Sequence, residues 1–215
     1  MTEIKIAGFK KTNDWKELEK KLKPNYDEHW VEAYSFFEMR IQTRYTEPIK
    51  AILEMNKNLG EGFAVVNLQC SLIETIESFI CGWIYKYPNF INSKGEKFKS
   101  NNEIFKSFFN NRVPFKNYYP KINGKQFYSD VRCGLLHETQ TKNNWKIKKG
   151  IEDGTTFEEK DRFKIIYREN FQIDLETLIE NYKNSIINGV VFDGISACEL
   201  RENFILKFNH ICNAS

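Results

Sequence analysis

The sequence predicts an all-α fold: a helical bundle with further C-terminal helices and one small β-hairpin. Three observations predict it. Apolar residues recur at three- and four-residue steps along most of the 215-residue chain, the period of a helix with one buried face. Helix-start residues stand before these runs: Asn13-Asp14, Asn25 with Glu28, Asp174, and Ser196 with Glu199. Hydrophobic residues make up 41% and aromatics 15%, with 18 Phe and 10 Tyr, enough apolar surface to fill a core rather than leave the chain disordered.

Taken in order, Asn13-Asp14 open a short polar helix over 15–22, which Pro24 stops. Asn25 and Glu28 read as a capping box for a helix over 26–45, with Trp30, Tyr34, Phe37 and Ile41 as its apolar stripe. Pro48 kinks or restarts it, and 49–58 continue. The most apolar stretch, 63–85, carries Asn67, Gln69, Glu74 and Glu77. Two glutamates at mid-span argue for a core helix and against a membrane span. Asn67, Ser71, Glu74 and Ser78 form one polar stripe along it, which either lines a site or is a solvated interhelical edge. Pro88 and Lys94-Gly95 mark a loop. A short helix follows over 102–112, then a connector to Gly124 and a helix over 125–139.

Beyond that helix the texture changes. NNWKIKK (143–149) and FKIIY (163–167) are short and strand-like, with Asp153-Gly154 as the turn between them, a hairpin pattern. Lys142, Lys146 and Lys148 around Trp145 suit a surface that tracks a phosphate backbone and stacks a base. The same letters equally describe a strand with one buried tryptophan. Asp174 caps a helix with Leu175, Leu178, Ile179, Tyr182 and Ile186 on one face, and Ser196 with Glu199 opens the last, to His210. No linker or repeat divides the chain, so a single domain over 1–215 is expected.

Composition narrows function. The net charge of +3 is compatible with a nucleic-acid partner without requiring one. The five cysteines include no CxxC and read as free thiols of a reducing cytoplasm. The N-terminus lacks a signal peptide's apolar run and cleavage site, so a soluble cytoplasmic protein with no membrane partner is expected. No P-loop, GxGxxG or nucleophile elbow is present. HETQT (137–141) lacks the second histidine of a zinc helix. Neither cofactor nor metal is expected.

What stands out is YSDVRCGLLHE (128–138). On a helical wheel Phe127, Val131 and Leu135 face the core, while Arg132 and His137 lie about 140° apart on the other side, flanking Ser129, Cys133 and Leu136. An arginine and a histidine near a helix end are often plain dipole partners or surface groups. A second, half-apolar face instead suggests a second packing partner, most simply another copy of the helix. Arg-x4-His late in a helix, after a long helix with an acidic stripe, resembles the HEPN superfamily over residues 26–139. That resemblance implies a helical bundle dimerised through the motif helix, with 140–215 as a C-terminal extension. It implies a metal-independent endoribonuclease of toxin–antitoxin or antiviral defence systems, with RNA as substrate and an antitoxin or other defence protein as partner. Arg132 and His137 would be catalytic and Glu74 their support, ahead of Glu77. Cys133 stands where active members commonly carry a polar residue, which favours the alternative the family also contains, a non-catalytic module that binds nucleic acid or protein. Thr139 stands where some members carry a modifiable tyrosine.

Overall fold

The computed structural model describes residues 4–55, 59–98, 100–118 and 121–213. The fold is mixed α/β rather than all-α: the described residues are 59% helical and 14% strand, with three small sheets among them, two antiparallel and one mixed. The strands are two to five residues long. That is too short for period-two alternation to show against the helical period of their surroundings. The chain divides into two compact units, residues 1–48, 76–99 and 180–215, and residues 49–75 and 100–179.

In the first unit, β1 (Lys5–Ala7) and β2 (Lys10–Lys11) form a hairpin that leads into α1 (Thr12–Glu19). α2 spans Trp30–Ile41 and ends in a π-helical turn, Gln42–Thr46. The expected start at Tyr26 fails for a visible reason. The carbonyls of Pro24 and Tyr26 accept hydrogen bonds from Arg201, and His29 takes a left-handed φ of 69°, so 24–29 form a turn. The expected stripe is buried: Trp30, Tyr34, Phe37 and Ile41. Its core is aromatic, with Trp15 stacked on Phe208 at 4.5 Å and Phe37 edge-on to Phe79 at 4.9 Å. The long apolar helix stops five residues early. α4 (Glu61–Ile80) gives way at Gly82, φ +63°, and the chain turns into an antiparallel sheet of β3 (Ile84–Lys86), β4 (Asn89–Ile91) and β5 (Lys97–Phe98). The expected loop at Pro88 and Lys94-Gly95 is the pair of turns of that sheet. α9 (Ala197–Asn213) closes the unit, with Ser196 Oγ accepting from the Glu199 amide at 3.2 Å.

The second unit holds most of α3 (Glu47–Met55); its expected end at Asn58 lies outside the described residues. It also holds residues 61–75 of α4, α5 (Asn102–Asn111), the motif helix and the third sheet. α4 is long and apolar enough to cross a membrane, with a mean hydropathy of 1.3 over its window, yet 61% of that window is buried inside the protein, as in a core helix. In the third sheet, β6 (Trp145–Lys148) pairs in parallel with β8 (Phe163–Tyr167), and β7 (Phe157–Lys160) lies antiparallel on the other side of β8. The expected hairpin between 143–149 and 163–167 is therefore absent. The hairpin is β7–β8, turning at Asp161 with φ 56°, and charged FEEK hid its first strand. α8 (Arg168–Asn188) follows β8 directly, six residues before the expected cap. Asp174 does not cap it; its carboxylate accepts from Thr156 Oγ1 at 2.6 Å and Tyr118 Oη at 3.3 Å.

The motif helix is held against α5 by a close approach at its first residue, Gly124. A Cβ there would press into the Phe105 carbonyl and lie 2.6 Å from its carbon. Gly124→Ala is expected to lower stability by about 1–3 kcal/mol, the usual cost of forcing atoms into a packed site. A urea melt followed by circular dichroism measures it; an unchanged midpoint would mean that the two backbones separate freely.

Candidate functional site

The helix over 124–138 is three pieces in one run: α6 (Gly124–Phe127), a π-helical turn (Tyr128–Arg132) and α7 (Cys133–Glu138). Asn123 caps it, its side chain accepting from the amides of Lys125 and Gln126. Phe127, Val131 and Leu135 are buried as expected, with Phe127 packed among Phe109, Trp145, Phe157 and Phe171. The π turn adds a residue to the helical repeat in the turn that ends on the motif's Arg132, a distortion that recurs at functional sites. Thr139, φ 55°, ends the helix in a left-handed cap and returns the chain across Gly134, where a Cβ would meet the Gln140 carbonyl at 2.6 Å.

Two of the three expected catalytic residues come together. Arg132 Nε donates to Glu74 Oε1 at 2.8 Å, joining the motif helix to the polar stripe of α4. The other carboxylate oxygen accepts from Asn101 Nδ2 at 3.1 Å. Both side chains are largely buried, at 18% and 20% exposure, so the pair is less screened than a surface one. Burial pulls the Arg132 pKa down and the Glu74 carboxylate more than offsets it, so the guanidinium stays charged. Among the described residues the two terminal nitrogens of Arg132 have no partner, which leaves the flat edge of the fork for an anion. Tyr128 and Cys70 lie close by. Burial raises the pKa of each, with a further rise for Tyr128 from its hydrogen bond to Cys133. Both stay neutral near pH 7.

His137 does not join this cluster. It lies exposed in the last turn of α7, and among the described residues its imidazole has no hydrogen bond or ion pair. Leu136 beside it is 49% exposed. Glu77, the second choice for support, is buried and accepts from Cys81 Sγ at 3.2 Å.

The residues expected to meet nucleic acid divide. Along β6 the side chains alternate, with Trp145 buried and Lys146 and Lys148 exposed. Trp145 is buried, edge-on to Phe127 at 5.5 Å and with Lys164 Nζ 5.7 Å from its ring centre, so it offers no open stacking platform. Lys146 Nζ lies 3.3 Å from the centre of the Phe163 ring, and Lys142 Nζ is 3.5 Å from Glu138 Oε1. Sequence reasoning missed Asn101 and Tyr128; one is an ordinary residue before a helix, the other an aromatic at the wheel's edge. No family model matches the chain, and neither does any curated protein or solved structure.

Proposed function

We propose that the chain is a metal-independent endoribonuclease with the active groups of the HEPN type, working in toxin–antitoxin or antiviral defence. One observation carries the reading. Glu74, the carboxylate singled out on the polar stripe, holds Arg132 by Nε alone and leaves the rest of the guanidinium to a phosphate. In the reaction His137 removes the proton of an RNA 2′-hydroxyl, and the freed oxygen attacks the adjacent phosphorus. Arg132 stabilises the charge that builds on the phosphoryl oxygens, and the 5′-oxygen leaves with the proton that the His137 imidazolium gives up. The products are a 2′,3′-cyclic phosphate and a 5′-hydroxyl. The need for a 2′-hydroxyl restricts the substrate to RNA. Lys142, Lys146 and Lys148 track the RNA backbone.

The active form in this proposal is a homodimer. Arg132 and His137 flank exposed Leu136 on one helix, and two such helices packed about a two-fold axis bury that leucine and bring both pairs to one cleft. Cys133 beside the arginine favours a second reading, a binding module without chemistry, because a thiol is a weak phosphate ligand. The test is cleavage of mixed single-stranded and structured RNA with chelator present. Cyclic phosphate ends are expected. A dimer in light scattering with no cleavage of any RNA would favour the module.

A further inference from the structure

The second unit holds a cavity of about 550 Å³ away from the Arg132–Glu74 pair, at the carboxyl ends of the parallel strands β6 and β8. Beyond β6 the chain runs through Lys149-Gly150-Ile151, and beyond β8 it enters α8 at Arg168. The start of α4, Gly60 to Phe63, forms another wall. Strand carboxyl ends that meet a helix start gather backbone amides, and in α/β sheets ligands settle at such places.

Arg168 makes the cavity more than a helix terminus. Its side chain is only 8% exposed. Its Nε is buried without a partner, and among the described residues neither terminal nitrogen donates a hydrogen bond. The Glu61 carboxylate stands 3.8 Å from Nη2, an ion pair but beyond hydrogen-bond reach. A buried guanidinium with its donors unused is costly, and such groups call for an ion or ligand to satisfy them. The surroundings keep it reachable. A Cβ on Gly62 would sit 3.1 Å from Arg168 Nη1 and 3.1 Å from Ile147 Cγ2, so glycine there holds the helix start open to the guanidinium. Gly60, at φ +108°, faces open space. Lys148 and Lys149 also line the wall, while the Glu169 carboxylate lies against Gly150. Phe63, 42% exposed, supplies an aromatic wall.

We propose that this cavity binds a small phosphorylated molecule of mononucleotide size, with the phosphate on Arg168 and the opening of α4, and the body of the ligand against Phe63. The volume suits it, since small-ligand pockets run from about 300 to 1,000 Å³. The site shares Lys148 with the proposed RNA track but none of Arg132, Glu74 and His137, and it is read without RNA. Isothermal titration calorimetry of the full chain would use the four 5′-mononucleotides, inorganic phosphate and the matching nucleosides as probes. At least one mononucleotide is expected to bind, with phosphate weaker and nucleosides not at all. Arg168→Met should weaken that binding by about tenfold or more, the usual scale for a charge-assisted hydrogen bond. Exposed Lys148→Ala should weaken it by less while melting like wild type, which keeps the test sound if Arg168→Met does not fold. Absence of binding by folded wild type would overturn the proposal. So would a mononucleotide whose affinity is unchanged in folded Arg168→Met, or, if that variant fails to fold, in Lys148→Ala. Binding of nucleosides as tight as that of their phosphates would overturn it too.

Discussion

Alanine at His137 is expected to remove RNA cleavage while leaving the melting temperature where it was. The two halves of this result come from different parts of the structure. The imidazole is exposed and has no hydrogen bond among the described residues, so folding loses little when it goes. The chemistry loses its proton carrier, and general acid–base catalysis is worth about 10²- to 10⁴-fold. Arg132→Lys separates charge from shape. Lysine keeps the positive charge but gives up the planar fork that Glu74 holds at one edge, so kcat should fall with RNA binding largely kept. Glu74→Gln should slow cleavage less than His137→Ala, because the glutamine carbonyl can still accept from Arg132 Nε although the carboxylate charge is lost. Single-turnover cleavage of a labelled RNA with chelator present reads all three. Cleavage that survives His137→Ala would sink the nuclease assignment.

The Arg132–Glu74 partnership was readable because each residue broke an apolar pattern. A charged residue on an otherwise apolar helix must find a partner, and helical spacing put Glu74 at the right place on its stripe. The sheets were not readable, for a related reason. FEEK at 157–160 is charged at three of four positions and becomes a strand only because FKIIY lies alongside it. Tertiary pairing, not propensity, makes it β. Trp145 shows the limit of composition. Three lysines nearby make it look like a stacking platform, yet strand alternation sends the lysines outward and the indole into the core. Arg168 gave no signal at all, since one arginine between a strand and a helix is ordinary until burial and the cavity are seen.

Arg201 was equally silent, and it carries the largest expected effect on stability. It sits on α9 at 3% exposure and spends its guanidinium on the first unit's backbone. Nε donates to the Ile186 carbonyl at 2.9 Å and Nη2 to that of Ile187 at 3.2 Å, so it closes carbonyls in the last turn of α8 that have no helical partner. Nη1 donates to the carbonyls of Pro24 at 3.2 Å and Tyr26 at 3.3 Å, holding the turn before α2, and Nη2 also meets Asp27 Oδ1 at 2.7 Å. Its carbon lies 5.0 Å from the centre of the Trp30 ring. One side chain thus ties three segments far apart in sequence. Methionine keeps the apolar stem and supplies no donor, so Arg201→Met strands several acceptors at once. The expected cost is about 3–5 kcal/mol, the range for breaking a buried charged network from one side. Arg201→Lys should fall between, because three donors on a flexible stem cannot reach all five acceptors. Asp27→Asn should change stability far less, since that carboxylate is 71% exposed. Urea unfolding of the three variants orders them. A methionine variant as stable as wild type would mean that water replaces the guanidinium at every carbonyl, and the turn before α2 would then owe its shape to His29 rather than to Arg201.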